Sequence, residues 1–186
     1  MKPALDTPIA EVPVWLDNQP VKTDAEGQFR FDGVSPGAHT VRAELAGVPA
    51  DFVFADIPER TIAVVPYREN TLYFRVAKAG RVMGTVTYLD YSSDPDKGVE
   101  RPLPDVRIVA GSERDTFSEA NGGFLLGDLT PGTYELRLDP ASLPANYVPS
   151  PSVVTVNVAP GESLQNVQFK LIIPPRPVIE RRLPED

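Results

Sequence analysis

"TDAEGQFRFDGVSPGAHTV" runs from Thr23 to Val41, and at an offset of 95 residues "SEANGGFLLGDLTPGTYEL" runs from Ser118 to Leu136. Gly27 matches Gly122, Phe29 matches Phe124, and Pro36-Gly37 match Pro131-Gly132. Farther along, "VPADFV" (Val48–Val53) aligns with "LPANYV" (Leu143–Val148), and Phe74 aligns with Phe169. Of the 54 aligned positions from Thr23 to Val76, 11 are identical, and they fall largely on Gly, Pro, Phe and Ala. Those residues set turns and packing, so what is duplicated is a fold and not a surface.

Each copy reads as strands. In "GQFRFDGV" Phe29 and Phe31 alternate with Gln28 and Arg30, the period-2 pattern of a half-buried strand. "AHTVRAEL" and "TYELRL" repeat that period, and "SPG" and "TPG" before them are turns in which Pro presets φ and Gly takes a positive one. "RTIAVV" and "NTLYFRV" in the first copy, and "SVVTVNV" and "NVQFKL" in the second, complete the set. No apolar period of 3.6 residues persists long enough for a helix. The expectation is an all-β chain of two tandem Greek-key sandwiches of about seven short strands each.

The copies differ where they begin. The second opens with "GRVMGTVTYLD" (Gly80–Asp90), then crosses a polar loop to "LPDVRIVA". The first has a counterpart of that later strand in "EVPVWLD" (Glu11–Asp17) but no counterpart of the opening one. Its initial strand is thus expected to be missing. Either the sequence starts inside a module, which we expect, or a segment from elsewhere completes the sheet. The expected boundaries are 1–77 for the first module, 78–173 for the second, and 174–186 for a proline-rich charged tail or linker. The join, "AKAG", holds no Gly/Ser-rich linker, so restricted hinging is expected.

Composition narrows the function. Among 186 residues there are 21 prolines, about twice the usual share, as expected for many short strands joined by turns. A net charge of −8 spread over both halves disfavours nucleic acid and anionic membrane as partners. With no cysteine, disulfides, thiolate metal sites and cysteine nucleophiles are excluded. No stretch approaches the ~18 apolar residues of a membrane span, and "MKPALDTPIAEV" lacks the apolar core of a signal peptide.

The "G-x-V" strand, the phrase "LPDVRI" and the recurrent D/E-x-x-G-x-F…P-G-x-H/Y pattern resemble the carboxypeptidase regulatory-like domain. The resemblance spans Gly80–Leu171 in the second copy and Val12–Val76 in the first. It implies a transthyretin-like (prealbumin-like) β-sandwich, similar to the B-type repeats of Gram-positive collagen adhesins. It further implies a non-catalytic module, used in tandem in large exported bacterial surface, periplasmic or outer-membrane-associated proteins. Its partners would be neighbouring domains of the same polypeptide and a carbohydrate or protein ligand, and the alternative role is a carbohydrate- or peptide-binding accessory module of an extracellular enzyme or a transport or usher system. An extracytoplasmic location and the absence of enzyme activity follow from that resemblance.

Candidate sites are few. In "LDYSSDPDKGVERPL" (Leu89–Leu103), Asp90, Ser92, Asp94 and Asp96 alternate and Glu100 follows. Oxygen ligands so spaced suit Ca²⁺, the one cofactor we keep open. The pattern is weak as a calcium loop, with Ser92 in place of a better donor and Pro95 at a turn position, and a solvated acidic turn is the simpler reading. B-type repeats carry a calcium loop at this place. Of the aromatics Trp15, Phe52, Tyr73, Tyr88, Tyr91 and Tyr147, most sit at alternating strand positions and read as packing residues. Tyr91, in the acidic loop, is the candidate for ligand binding. His39, the sole histidine, aligns with Tyr134 and reads as structural. Transthyretin-like hydrolases of 5-hydroxyisourate need several histidines and a C-terminal Tyr-Arg-Gly-Ser, which are absent. The collagen-adhesin resemblance also raises a Lys–Asn isopeptide bond, for which Lys78, Asn166 and Glu135 would be the second copy's residues.

Overall fold

The computed structural model describes residues 8–46, 48–92, 98–111 and 114–173. Asp94, Asp96 and the expected tail at 174–186 lie outside these. The described residues form strands and one short 3-10 turn at Pro140–Ser142. The chain divides into two compact units: one takes in residues up to Gly80 with the short segments 127–132 and 158–162, the other the remainder. It is an all-β sandwich protein.

In the first unit, β1 (Pro13–Leu16), β2 (Gln19–Lys22), β3 (Gly37–Ala43) and β5 (Glu59–Val64) form an antiparallel sheet in the order β2-β1-β3-β5. A two-residue turn closes the β1–β2 hairpin, with Asp17 at φ 51° as such tight turns require. Alternation puts Val14, Leu16, Val41 and Ala43 on one face, and these four make the buried core. β4 (Phe52–Phe54) pairs with β6 (Val76–Lys78) in a separate two-stranded sheet. Phe29, Phe31, Leu72 and Phe74 pack onto the core but are only partly buried.

The second unit, taken with the strand ends at Gly80, 127–132 and Val158, has the same four-stranded sheet and a larger second one. β9 (Arg107–Ala110), β10 (Arg114–Phe117), β12 (Gly132–Leu138) and β14 (Val153–Val158) stand in the order β10-β9-β12-β14. The registers correspond: Val14 faces Ala43 and Leu16 faces Val41, while Ile108 faces Leu138 and Ala110 faces Leu136. The other sheet orders β11 (Gly123–Leu129), β7 (Gly80–Asp90), β15 (Ser163–Ile172) and β13 (Val148–Ser150), with β8 (Val99–Pro102) on the far end of β7. Ile108, Leu136 and Leu138 from one sheet and Val82, Val86, Phe124, Leu126, Phe169 and Leu171 from the other are all buried, the interior of a sandwich.

The likeness persists to individual hydrogen bonds. Thr23 Oγ1 accepts the Val12 N–H at 3.0 Å and donates to the Ile9 carbonyl at 2.7 Å. Ser118 Oγ accepts the Val106 N–H at 3.0 Å and donates to the Leu103 carbonyl at 2.8 Å. Each hydroxyl is buried and fully used. The following turns match as well, Gly27 at φ 71° and Gly122 at φ 76°.

Two expected strands of the first unit are absent. Residues 28–34 and 68–75 have no strand structure. Their counterparts in the second unit, β11 and β15, both flank β7. A strand is stabilised through its neighbours' N–H and C=O groups, and the first unit has no counterpart of β7 among its described residues. The join read as "AKAG" is also mostly strand, since β6 ends at Lys78 and β7 begins at Gly80.

Candidate functional site

The acidic loop leaves the β7–β8 hairpin, whose register sets Tyr88 opposite Arg101, Leu89 opposite Glu100 and Asp90 opposite Val99. Alternation therefore sends Asp90 and Glu100 to opposite faces of the ribbon. Asp90 Oδ1 accepts the Ser92 N–H at 2.9 Å, and Oδ2 accepts Arg101 Nε at 2.7 Å. The Ser92 hydroxyl and N–H, then Arg101, hold the Asp90 carboxyl below its usual range. Glu100 accepts from Lys170 Nζ at 2.6 Å and from Thr87 Oγ1 at 2.8 Å, and Lys170 and Thr87 lower its pKa. Each carboxylate that the hairpin places already has its own cation. Of the expected calcium ligands, Asp90 and Ser92 come together, Glu100 stands apart, and Asp94 and Asp96 lie outside the described residues. Among the described residues no group of three or more carboxylates or histidines is gathered as a metal would need.

Tyr91 is half-buried, and its ring rests against the backbone of Gly98: a Cβ there would stand 3.1 Å from Tyr91 Cε1 and 3.3 Å from Leu89 Cβ. Beside it, Tyr88 and Tyr147 meet edge to face with ring centres 5.8 Å apart. The Tyr147 hydroxyl donates to the Leu89 carbonyl at 2.9 Å, and burial, then the Asp90 charge, push its pKa up. The end of β7 thus carries three tyrosines bordered by Asp90 and Arg101. The remaining aromatic candidates serve packing or lie open. Trp15 lies under the Arg42 guanidinium, 5.8 Å from its ring centre, with Nε1 buried and unbonded. Phe52 pairs with Lys78 across β4–β6, and Tyr73 is exposed.

His39 bonds Asp17 Oδ2 through Nδ1 at 2.7 Å and the Ser35 carbonyl through Nε2 at 2.8 Å. Two acceptors on one ring favour the imidazolium, and the Asp17 contact raises the pKa most. This is a turn-fixing arrangement, because Asp17 also accepts the Thr40 N–H at 2.9 Å. Glu135 is paired with Arg137 at 2.6 Å, Lys78 lies 3.8 Å from Asp51, and Asn166 occupies a bulge of β15 at φ 65°. A shallow depression of about 350 Å³ on the β9–β12 face is lined by Val109, Gly111, Glu135, Arg137 and Asp139. Of its charged residues, Glu135 pairs with Arg137 and Asp139 with Arg107.

Asp17, Arg101 and Lys170 were not singled out by sequence reading. Their partners are 22, 11 and 70 residues away along the chain, and only strand register reveals them. The Thr23/Ser118 pair did leave a signal, as a hydroxyl kept at the same place in both copies.

The fold and these sites define an all-β sandwich whose β7–β8 carboxylates are ion-paired and which carries an aromatic patch. No family model matches the chain, and no curated protein does. Among solved structures it is similar to the minor pilin GBS52 of Streptococcus agalactiae, at 13% identity and TM-score 0.49, covering 95% of this chain and 88% of that one. A streptococcal ancillary pilin matches at 17% identity and TM-score 0.40, over 93% of this chain and 55% of that one. A double mutant of the shaft pilin SpaA from Lactobacillus rhamnosus GG matches at 10% identity and TM-score 0.34, over 92% and 90%. At TM-scores below 0.5 such likeness does not carry a function across. Among the described residues no helix is long and apolar enough to cross a membrane.

Proposed function

We propose that the chain is a non-catalytic spacer of the carboxypeptidase regulatory-like type within a larger exported bacterial surface protein. The observation that carries this reading is the parallel pairing of β7 with β15, from Arg81–Ser163 to Tyr88–Leu171. These are the second unit's first and last strands. Tension applied through its two ends loads that ladder in shear, so its hydrogen bonds must break together and not one after another. A domain so wired holds its length under pull. Stretching single molecules of the full chain by the two ends is expected to show one distinct rupture releasing roughly 30 nm of chain. Smooth extension without a rupture of that length would exclude the spacer role.

A second reading rests on the tyrosine patch. Tyr88, Tyr91 and Tyr147 with Asp90 and Arg101 offer stacking faces and polar edges of the kind that hold a sugar. A glycan array probed with the wild type and with Tyr91→Ala decides it: signal lost in the variant supports binding here, and equal or absent signal in both removes it.

A further inference from the structure

The two units differ on the outward faces of their matching sheets. In the first, Trp15 on β1 stands opposite Arg42 on β3, and the Arg42 guanidinium lies 5.8 Å from the centre of the indole ring. In the second, the same register sets Val109 on β9 opposite Arg137 on β12. Valine leaves open what the indole covers. The depression of about 350 Å³ lies at this place, lined by Val109, Glu135, Arg137, Asp139 and Pro140. Arg137 leans away onto Glu135 at 2.6 Å with its side chain mostly exposed, so it has room to fold over an incoming ring.

A second difference lies in one turn. Val65–Arg68 follows β5, and Ala159–Glu162 follows its counterpart β14, each with proline in second place. The Arg68 N–H donates to the Val65 carbonyl at 3.3 Å, and the Glu162 N–H to the Ala159 carbonyl at 3.0 Å. The third position of such a turn takes a left-handed backbone, which suits Gly161 at φ 72°. In the first unit that position holds Tyr67 at φ 62°, where a bulky side chain is strained. Tyr67 is also fully exposed, so packing within its unit does not offset the strain. Strain retained at an exposed aromatic points to a use outside the unit.

We infer that Tyr67 of one copy docks in the depression over Val109 of a second copy. Its ring lies on Val109 beneath the Arg137 guanidinium, as Trp15 lies beneath Arg42 in the first unit. The phenol matches the chemistry of the place: its face serves the cation, and its hydroxyl donates to the Glu135 or Asp139 carboxylate at the rim. Arg68, next on the turn, brings a cation to a rim that carries two carboxylates and one guanidinium. Each copy offers one turn and one depression, so the contact joins unlike surfaces. This association goes beyond the spacer role and stands without it.

Sedimentation velocity on the full chain, from micromolar to millimolar concentration, tests this with two variants. Tyr67→Gly removes the ring and installs the residue that the matching turn carries. Val109→Trp fills the depression with the residue that the first unit carries. The wild type is expected to associate as concentration rises, and each variant alone about tenfold more weakly or not at all. Tyr67→Gly is expected to melt no lower than the wild type, since glycine suits the turn, so its loss of association is not a loss of fold. Mixing the two variants is the decisive arm. One still offers the depression and the other still offers Tyr67, so the mixture is expected to form a one-to-one dimer that neither forms alone. A wild type that stays monomeric at millimolar concentration would overturn the inference. So would association left unchanged by either variant, or a mixture that stays monomeric.

Discussion

His39 and Asp17 show how a single pair ties pH to fold. His39's pKa is raised, by the Asp17 contact and then the Ser35 carbonyl, and Asp17's is lowered by His39 and then the Thr40 N–H. A histidine with a raised folded value contributes fully below its unfolded value, about 6.5, and less as pH rises through the folded one. Asp17 contributes above its unfolded value, about 4, and less as pH falls. The pair therefore supports the first unit best between about pH 4 and 6.5. Melting followed from pH 5 to pH 9 is expected to show the first unit weakening toward alkali in the wild type and much less in His39→Gln. The histidine was legible as structural because it aligned with a tyrosine in a strand. Its carboxylate partner was not, since Asp17 reads as an ordinary turn residue until β1 and β3 are in register.

The strands were legible wherever both neighbours exist. "GRVMGTVTYLD" became β7 at its expected bounds, and the segments after both "PG" turns became β3 and β12. The alternating pattern of "QFRFD" is as good as that of "GFLLG", yet only the latter is a strand. Periodicity reports which face a strand would bury, whereas the ladder needs a partner that local sequence cannot report. The acidic loop shows the same limit, because alternating carboxylates imply a shared cation until the hairpin register separates Asp90 from Glu100. At this scale Gly84 is the sensitive position, crossing β15 and Phe124 too closely for any side chain. Gly84→Ala is expected to cost the second unit about 1–3 kcal/mol by overpacking, read from chemical denaturation. The first unit's transition should not move.

Among the described residues, one sheet order occurs twice with matched core pairs, while strands corresponding to β11 and β15 are seen only in the second unit. The recurring sheet was legible because Gly, Pro and Phe mark turns and core positions, and the difference between the two openings was legible in the sequence as well. How far the interior stays open to water depends on packing, and required the structure. Among the described residues, the first unit repeats the second unit's four-stranded sheet, while residues 28–32 and 71–75 stand outside any strand. Hydrogen exchange on the intact chain tests this most directly, comparing residues 28–32 with 123–127 and 71–75 with 166–170. Slow exchange in the second-unit segments beside rapid exchange in their first-unit counterparts is the expected result. Equal protection of both members of each pair would contradict it.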